Sequence, residues 1–344
     1  MTAPPDLLIE TPDVAGGRYG ADLLSDVLSR IRLSGAFFLR GEYSAPWTFD
    51  SPESRDLVNL LAPGSQRLIL FHIVRDGAAW VGARGARIDL EPGDLAVLPH
   101  ADRHLMGSRP EQAAPIPIAD LLPPPPWQGV PVCRFEGGGR NTSVVCGYLK
   151  CNELLFNSFM RRLPAVFRVR PPEGPIADLI RSFINYALDE RSHPRSGGAP
   201  LMTRMPEILL IEALRLYSED AASDTGWLAA IGDPVVGRAL SLLHADPARQ
   251  WSVDELAGLA ATSRSVLDER FRRLLGQPPI RYLAEWRMQL AADLMKDTPA
   301  KLAAIATTVG YGSEEAFSRA FRRYLGISPG QWRSELQTNG PRDG

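Results

Sequence analysis

The sequence predicts an α+β protein with more than one domain: a strand-built front portion closing as a barrel or jelly roll, two helices, then an all-helical unit. Three observations carry this. The 344 residues exceed the roughly 100–200 of one ordinary domain. Between Ala36 and Leu149 the apolar residues come in short runs broken by turn dipeptides. Beyond Pro172 they recur three and four residues apart, the period of amphipathic helices.

The strands follow from those runs. Gln66 to Val74, Ala78 to Ala83, Ala86 to Leu90 and Leu95 to Leu98 are separated by Asp76-Gly77, Gly85 and Pro92-Gly93 turns. Closely spaced antiparallel strands of this kind favour a barrel or jelly roll. Pro115 to Pro126 has few donors for a ladder and is expected as an extended surface loop. Val130 to Phe135 and Ser143 to Lys150 flank Gly137-Gly138-Gly139 and read as one more hairpin. A hairpin turning at Gly139-Arg140 sets Cys133 opposite Cys146, whereas a turn at Gly138-Gly139 sets Cys133 opposite Val144.

Ile176 to Glu190 and Met202 to Tyr217 are the two amphipathic helices, with a loop between them. Ser218 to Gly232 is expected as a linker, and everything from Asp233 onward reads as helix. The domain limits expected are therefore 1–165, 166–232 and 233–338.

With 44% hydrophobic and 23% charged residues, disorder and fibrous architectures are excluded. Apolar runs such as Leu68 to Phe71 fall far short of the ~20 residues that cross a bilayer. The first residues lack a basic segment followed by an apolar core, so the expected location is the cytoplasm and no membrane partner is expected. Three cysteines, Cys133, Cys146 and Cys151, are too few for a disulfide framework. The net charge of −2 divides unevenly: 15 basic against 13 acidic residues from Asp233 on, and 23 against 27 before it.

The last hundred residues contain one unit twice. Ser252-Val253-Asp254-Glu255 is a capping box opening a short helix to about Ala260. Ala261-Thr262-Ser263 is a tight turn, Ser263 caps a second helix, and Gly276 stops it after Leu275. Two helices so joined have the helix-turn-helix shape. At an offset of 50 positions SRSVLDERFRRLLGQPP, from Ser263, lies over SEEAFSRAFRRYLGISP, from Ser313; the preceding Leu256-Ala257 and Ile305-Ala306 match at 49. Leu267, Phe271, Leu274 and Leu275 form a core stripe repeated by Phe317, Phe321, Tyr324 and Leu325. Such second helices enter a major groove, and two of them about 34 Å apart read adjacent turns of one DNA face.

These residues resemble the DNA-binding domain of AraC/XylS transcriptional regulators, from WSVDELAGLAATSRSVLDERFRRLLG through IATTVGYGSEEAFSRAFRRYLGISPGQWR. The resemblance implies seven helices, with the two helix-turn-helix units joined by a helix around Pro279 to Met295. It places Ser265, Asp268 and Glu269, and Glu315, Ser318 and Arg319, at base contacts, and Arg272, Arg273, Arg322 and Arg323 at phosphates. The first of these helices departs from the pattern by carrying two acids near its start. Gly93 to His104 resembles the second cupin motif, with Gly93, Pro99 and His104 in place and Ala101 where glycine is usual. SDVLSRIRLSGAFFLRGEYSAPW and VVCGYL are similar to the cupin-type sensor domains that precede AraC-type DNA-binding domains.

The stretch Glu53 to Val74 supplies only His72, so a three-histidine, one-glutamate cupin metal site is not expected and no cofactor is assigned. His72 and His104 are the candidate effector-binding residues. Cys133 and Cys146 are candidates for a redox pair or a soft-metal site completed by one of those histidines. No Ser-His-Asp ordering, nucleophile elbow or His-Glu-x-x-His run suggests catalysis. The function expected is a cytoplasmic, homodimeric, bacterial regulator binding double-stranded promoter DNA, with RNA polymerase and a small-molecule effector as further partners. The alternatives are a cupin enzyme fused to a DNA-binding domain and a protein whose barrel is only a dimerisation scaffold.

Overall fold

The computed structural model describes residues 33–63, 67–109, 113–122, 130–151, 163–192, 198–220 and 226–339, with isolated positions between these ranges. Its strands are β1 (Ser34–Ser44), β2 (Thr48–Ser51), β3 (Arg67–Asp76), β4 (Ala79–Ala83), β5 (Ala86–Leu90), β6 (Leu95–Leu98), β7 (His104–Ser108), β8 (Ile116–Pro117), β9 (Val132–Glu136), β10 (Asn141–Cys151) and β11 (Phe167–Val169). A six-stranded sheet ordered β11-β6-β3-β10-β1-β9 faces a five-stranded one ordered β5-β4-β7-β2-β8. The fold is α+β, as expected.

The residues of β3 explain how the sheets are used. Successive side chains of a strand point to opposite faces. Leu68, Leu70 and Val74 belong to the apolar core between the sheets, while Ile69, Phe71 and Ile73 belong to a second cluster on the outer face. Both faces are buried, so β3 reads as a continuous apolar run rather than an alternation. On β10 the same division sets Val144, Cys146 and Tyr148 inside and Val145 and Leu149 outside.

Two expectations are corrected here. First, β9 and β10 are not a hairpin: β1 lies between them, antiparallel to β10 and parallel to β9. Cys133 therefore pairs with Gly41, while Cys146 pairs with Leu39 and His72. The glycine turn returns the chain one strand over because both neighbours bond to β1, a strand some ninety positions earlier in the sequence. Second, the proline-rich stretch is not wholly an exposed loop. Ile116 and Pro117 run parallel to β2, a 3-10 turn covers Ile118–Asp120, and Ile118 is buried; residues 123–129 lie outside the described part.

The helices are α1 (Ser54–Leu61), α2 (Pro175–Ser192), α3 (Gly198–Asp220), α4 (Trp227–Gly232), α5 (Val236–Ala245), α6 (Val253–Leu259), α7 (Arg264–Leu275), α8 (Pro279–Asp297), α9 (Leu302–Thr308), α10 (Glu314–Leu325) and α11 (Pro329–Asn339). The expected linker thus shrinks: α3 runs to Asp220 and the end of that segment is α4. No described helix is long and apolar enough to cross a membrane. α3 packs across β1, and the outer apolar cluster runs from Ile69 and Phe71 through Leu209 and Leu214 of α3 to Trp227, Leu240 and Phe271. A third cluster, with Ile305, Phe317 and Phe321 at its centre, supports the last helices.

Candidate functional site

The helical domain repeats its local structure as closely as its sequence. Ser263 and Ser313 accept from the amides of Val266 and Ala316, so each hydroxyl satisfies one donor at the start of α7 and of α10. Gly276 and Gly326 end those helices at φ of 67° and 79°. The turns match too: the amide of Thr262 donates to Ala257 and that of Tyr311 to Ala306, at 2.9 and 2.8 Å. Ala261 and Gly310 occupy the equivalent left-handed position, at φ of 54° and 85°.

Packing then decides which faces remain outside. Leu267, Phe271, Leu274 and Leu275 are buried, as are Phe317 and Phe321, whereas Tyr324 and Leu325 are only half-buried. Ser265, Glu269, Arg272 and Arg273 on α7, and Glu315, Arg319, Arg322 and Arg323 on α10, are exposed; Asp268 and Ser318 are half-buried on the same faces.

The two faces differ electrostatically. On α7 every arginine of the second half meets an acid: Arg272 bonds Asp268 at 2.7 Å, Arg270 bonds Asp233 at 3.0 Å, and Arg273 lies 4.0 Å from the same Asp233. On α10, Arg319, Arg322 and Arg323 form no ion pair with any described residue. The carboxyl of Glu315 is held below its ordinary range by a backbone amide at the helix start and by Ser313.

Asp233 also caps α5 through the amides of Val235 and Val236, both at 2.9 Å, and the amide of Gly226 donates to Leu274 at the end of α7. A clamp fixes one unit against the other. The buried Arg287 of α8 donates to the carbonyls of Pro247, Ala248 and Arg249, and Gln250 beside them donates to Gly310 at 2.7 Å. Gly310 permits this approach, because a Cβ there would lie 2.4 Å from the Ala248 carbonyl oxygen.

The barrel holds the other sequence candidates. β3 carries His72 from one sheet and β7 carries His104 from the other, and their Nε2 atoms meet at 3.1 Å inside. His72 Nδ1 lies 2.8 Å from the Cys146 thiol, and His104 Nδ1 lies 2.9 Å from the Asp102 carbonyl oxygen. Burial lowers both imidazole pKa values and pushes the Cys146 thiol up, so all three are neutral near pH 7.

These groups border a cavity of about 40 Å³ whose walls include Leu39, Phe49, Leu57, Leu60, Met106 and Ile118. Tyr43, which the sequence analysis did not single out, lines it as well. Cys133 is buried and donates to the Leu121 carbonyl at 3.2 Å. Cys133 and Cys146 are free thiols, and among the described residues no group of three or more His, Cys, Asp or Glu could hold a metal ion.

Comparison with known proteins follows this division. A cupin family model matches residues 22–219 and a helix-turn-helix domain model matches residues 256–335. A putative AraC-like transcription regulator of Streptomyces lividans is 34% identical over 91% of this chain and 96% of its own length. The chain belongs to the AraC-like transcription regulators. A second such regulator, from Streptomyces antibioticus, is also 34% identical, over 91% of this chain and 97% of its own. Among solved structures, a transcriptional regulator with an AraC-type DNA-binding domain from Chromobacterium violaceum is 28% identical, covering 33% of this chain and 99% of that one, with a TM-score of 0.31. The helix-turn-helix match spans α7 and α10, the second helices of the two repeated units, and the cupin match spans β1 to β11 ahead of them.

Proposed function

We propose that this AraC-like regulator reads promoter DNA with α7 and α10 and that a signal received in the cupin barrel controls that reading. The observation that carries the proposal is the duplicated helix-turn-helix unit, whose second copy presents on an exposed face three arginines that form no ion pair with any described residue. Ser265, Asp268, Glu269, Glu315, Ser318 and Arg319 take base edges in this reading. Arg272, Arg273, Arg322 and Arg323 take phosphates. The signal is a small molecule in the cavity beside His72 and His104.

The same reading divides the chain into a sensor at 1–165, a dimerisation segment at 166–232 and the DNA-binding domain at 233–338, in a bacterial cytoplasm. Homodimer formation is supported by Leu179, Leu201 and Ile208, apolar side chains exposed on α2 and α3. RNA polymerase is the further partner at the promoter. The barrel acts here as a sensor rather than a catalyst. Sequencing the chromosomal fragments bound by the purified protein tests the function: a shared motif with half-sites one helical turn apart is expected, and enrichment without any motif overturns it.

A further inference from the structure

The protons of the buried cluster can be assigned from the geometry. A carbonyl oxygen only accepts, so His104 Nδ1 donates to Asp102 and, in the neutral ring, His104 Nε2 is left as an acceptor. His72 Nε2 therefore donates to it, and His72 Nδ1 accepts from the Cys146 thiol. Both imidazole N–H groups of the His72–His104 pair are therefore used within the cluster. Neither histidine offers a donor or a positive charge to a guest in the cavity, and no Lys, Arg, Asp or Glu lines it.

One polar side chain on the cavity wall has no hydrogen-bond partner among the described residues. The Tyr43 side chain folds back along β1 over Gly41, where a Cβ would lie 2.5 Å from the tyrosine hydroxyl. Gly41 is therefore required for that pose, and it directs the hydroxyl toward Leu39 and Cys146, both of which line the cavity. Tyr43 is 5% exposed, and its hydroxyl forms no hydrogen bond with any described residue. A hydroxyl on a residue this little exposed keeps only part of the hydration it has in water, so an acceptor in the cavity gives it a partner it otherwise lacks. The remaining walls are hydrocarbon, apart from the half-exposed Ser51 and the cluster itself.

We propose that the cavity binds a compact, uncharged molecule with a hydrocarbon body and a single hydrogen-bond acceptor, such as a small ketone, ether or ester, held by the Tyr43 hydroxyl. This rests on the reading of the barrel as the sensory site and adds the ligand class. Carboxylates and ammonium ions are rejected, because a buried charge without a counter-charge is far costlier than a buried dipole. A cavity of about 40 Å³ admits about three to four water-sized groups at the ~10–15 Å³ that one water requires on the same scale, which limits the guest to a small molecule.

The test is calorimetric titration of the full-length protein with butan-2-one, its isostere 2-methylbut-1-ene, which lacks the acceptor, and butanoate. The ketone is expected to bind about fivefold more tightly than the alkene, the factor of one ordinary hydrogen bond, with no binding of butanoate. Tyr43→Phe keeps the ring and should abolish the ketone's advantage while alkene binding persists; Leu60→Trp, which fills the cavity, should abolish both. Ketone binding that survives Leu60→Trp, butanoate binding tighter than the ketone, an unchanged ketone preference in Tyr43→Phe, or no binding by any probe overturns the ligand class. The sensory reading has its own point of failure. A ketone that binds with the expected preferences but leaves the affinity for bound chromosomal fragments unchanged overturns that reading while the ligand class stands.

Discussion

Replacing Asp233 by asparagine separates two jobs that one carboxylate performs. Its oxygen caps α5 through two amides, and its charge holds Arg270 at 3.0 Å and Arg273 at 4.0 Å. Asparagine is as good an N-cap as aspartate, so Asp233→Asn keeps the helix start and removes only the charge. Arg270 and Arg273 are 36% and 61% exposed, which limits the lost ion pairing to about 1 kcal/mol of stability.

The gain lies on the DNA side. In the proposed reading a phosphate and the carboxylate compete for Arg273, and once the carboxylate is gone one further phosphate should be neutralised. The slope of log K against log salt should steepen by about 0.9, and affinity at 50 mM salt should rise about fivefold. Fluorescence anisotropy of a labelled duplex between 50 and 200 mM salt, beside a urea melt, measures both. Asp233→Ala should show the same steeper slope and lose about 1 kcal/mol more stability with the cap. A folded Asp233→Asn protein whose salt slope matches the wild type would refute the idea that Asp233 restrains α7.

On α10, Arg319→Ala should lose about 1–3 kcal/mol and relax one base position, whereas Arg323→Ala should weaken all sequences alike; equal losses on specific and random duplexes for Arg319→Ala would remove its base contact. Gly310→Ala should destabilise the helical domain by more than about 1 kcal/mol, because the added carbon meets the Ala248 carbonyl, while Ala261→Gly at the equivalent left-handed position should stabilise it by about 0.5–1 kcal/mol. Urea midpoints of the two variants measure this, and a destabilised Ala261→Gly contradicts it. His72 and His104 have lower pKa values folded than unfolded, so the unfolded chain takes up protons first as pH falls below about 6.5. Stability should be full above that pH and fall below it by up to about 1.4 kcal/mol per pH unit for each histidine; a urea midpoint equal at pH 7.5 and 5.5 would count against it.

What the sequence made legible was local. Ser263, Gly276 and the tight turn between short helices each act within a few residues, and the repeat at Ser313 and Gly326 doubled the signal. The strands from Arg67 to Leu98 were likewise bounded by their own turns. Non-local pairing defeated the reading between Val132 and Cys151: nothing around Gly137 to Gly139 announces that a strand beginning at Ser34 inserts between its two arms. His72 and His104 were found singly, through spacing and resemblance, but their meeting depends on two sheets facing each other. Tyr43, Asp233 and Arg287 escaped notice for the same reason, since Arg287 acquires its role from carbonyls about forty positions away. Tyr324 and Leu325 fit the periodic stripe yet are only half-buried, because they lie at the end of α10, where periodicity carries no record of how much neighbouring chain remains to cover them.

The clamp of Arg287, Gln250 and Gly310 makes the pair of recognition helices a ruler rather than two readers on a string. In the proposed reading, helices tied together by this clamp measure rotational phase along the duplex as well as base identity. Five base pairs inserted between the two half-sites turn the second to the opposite side of the DNA, about half a helical turn away, where the fixed partner helix cannot follow. Ten restore the phase but move the site ~34 Å out of reach. On that reading an operator tolerates base changes one at a time but not a change of length, and promoters drifting by insertion or deletion leave such control in a single step.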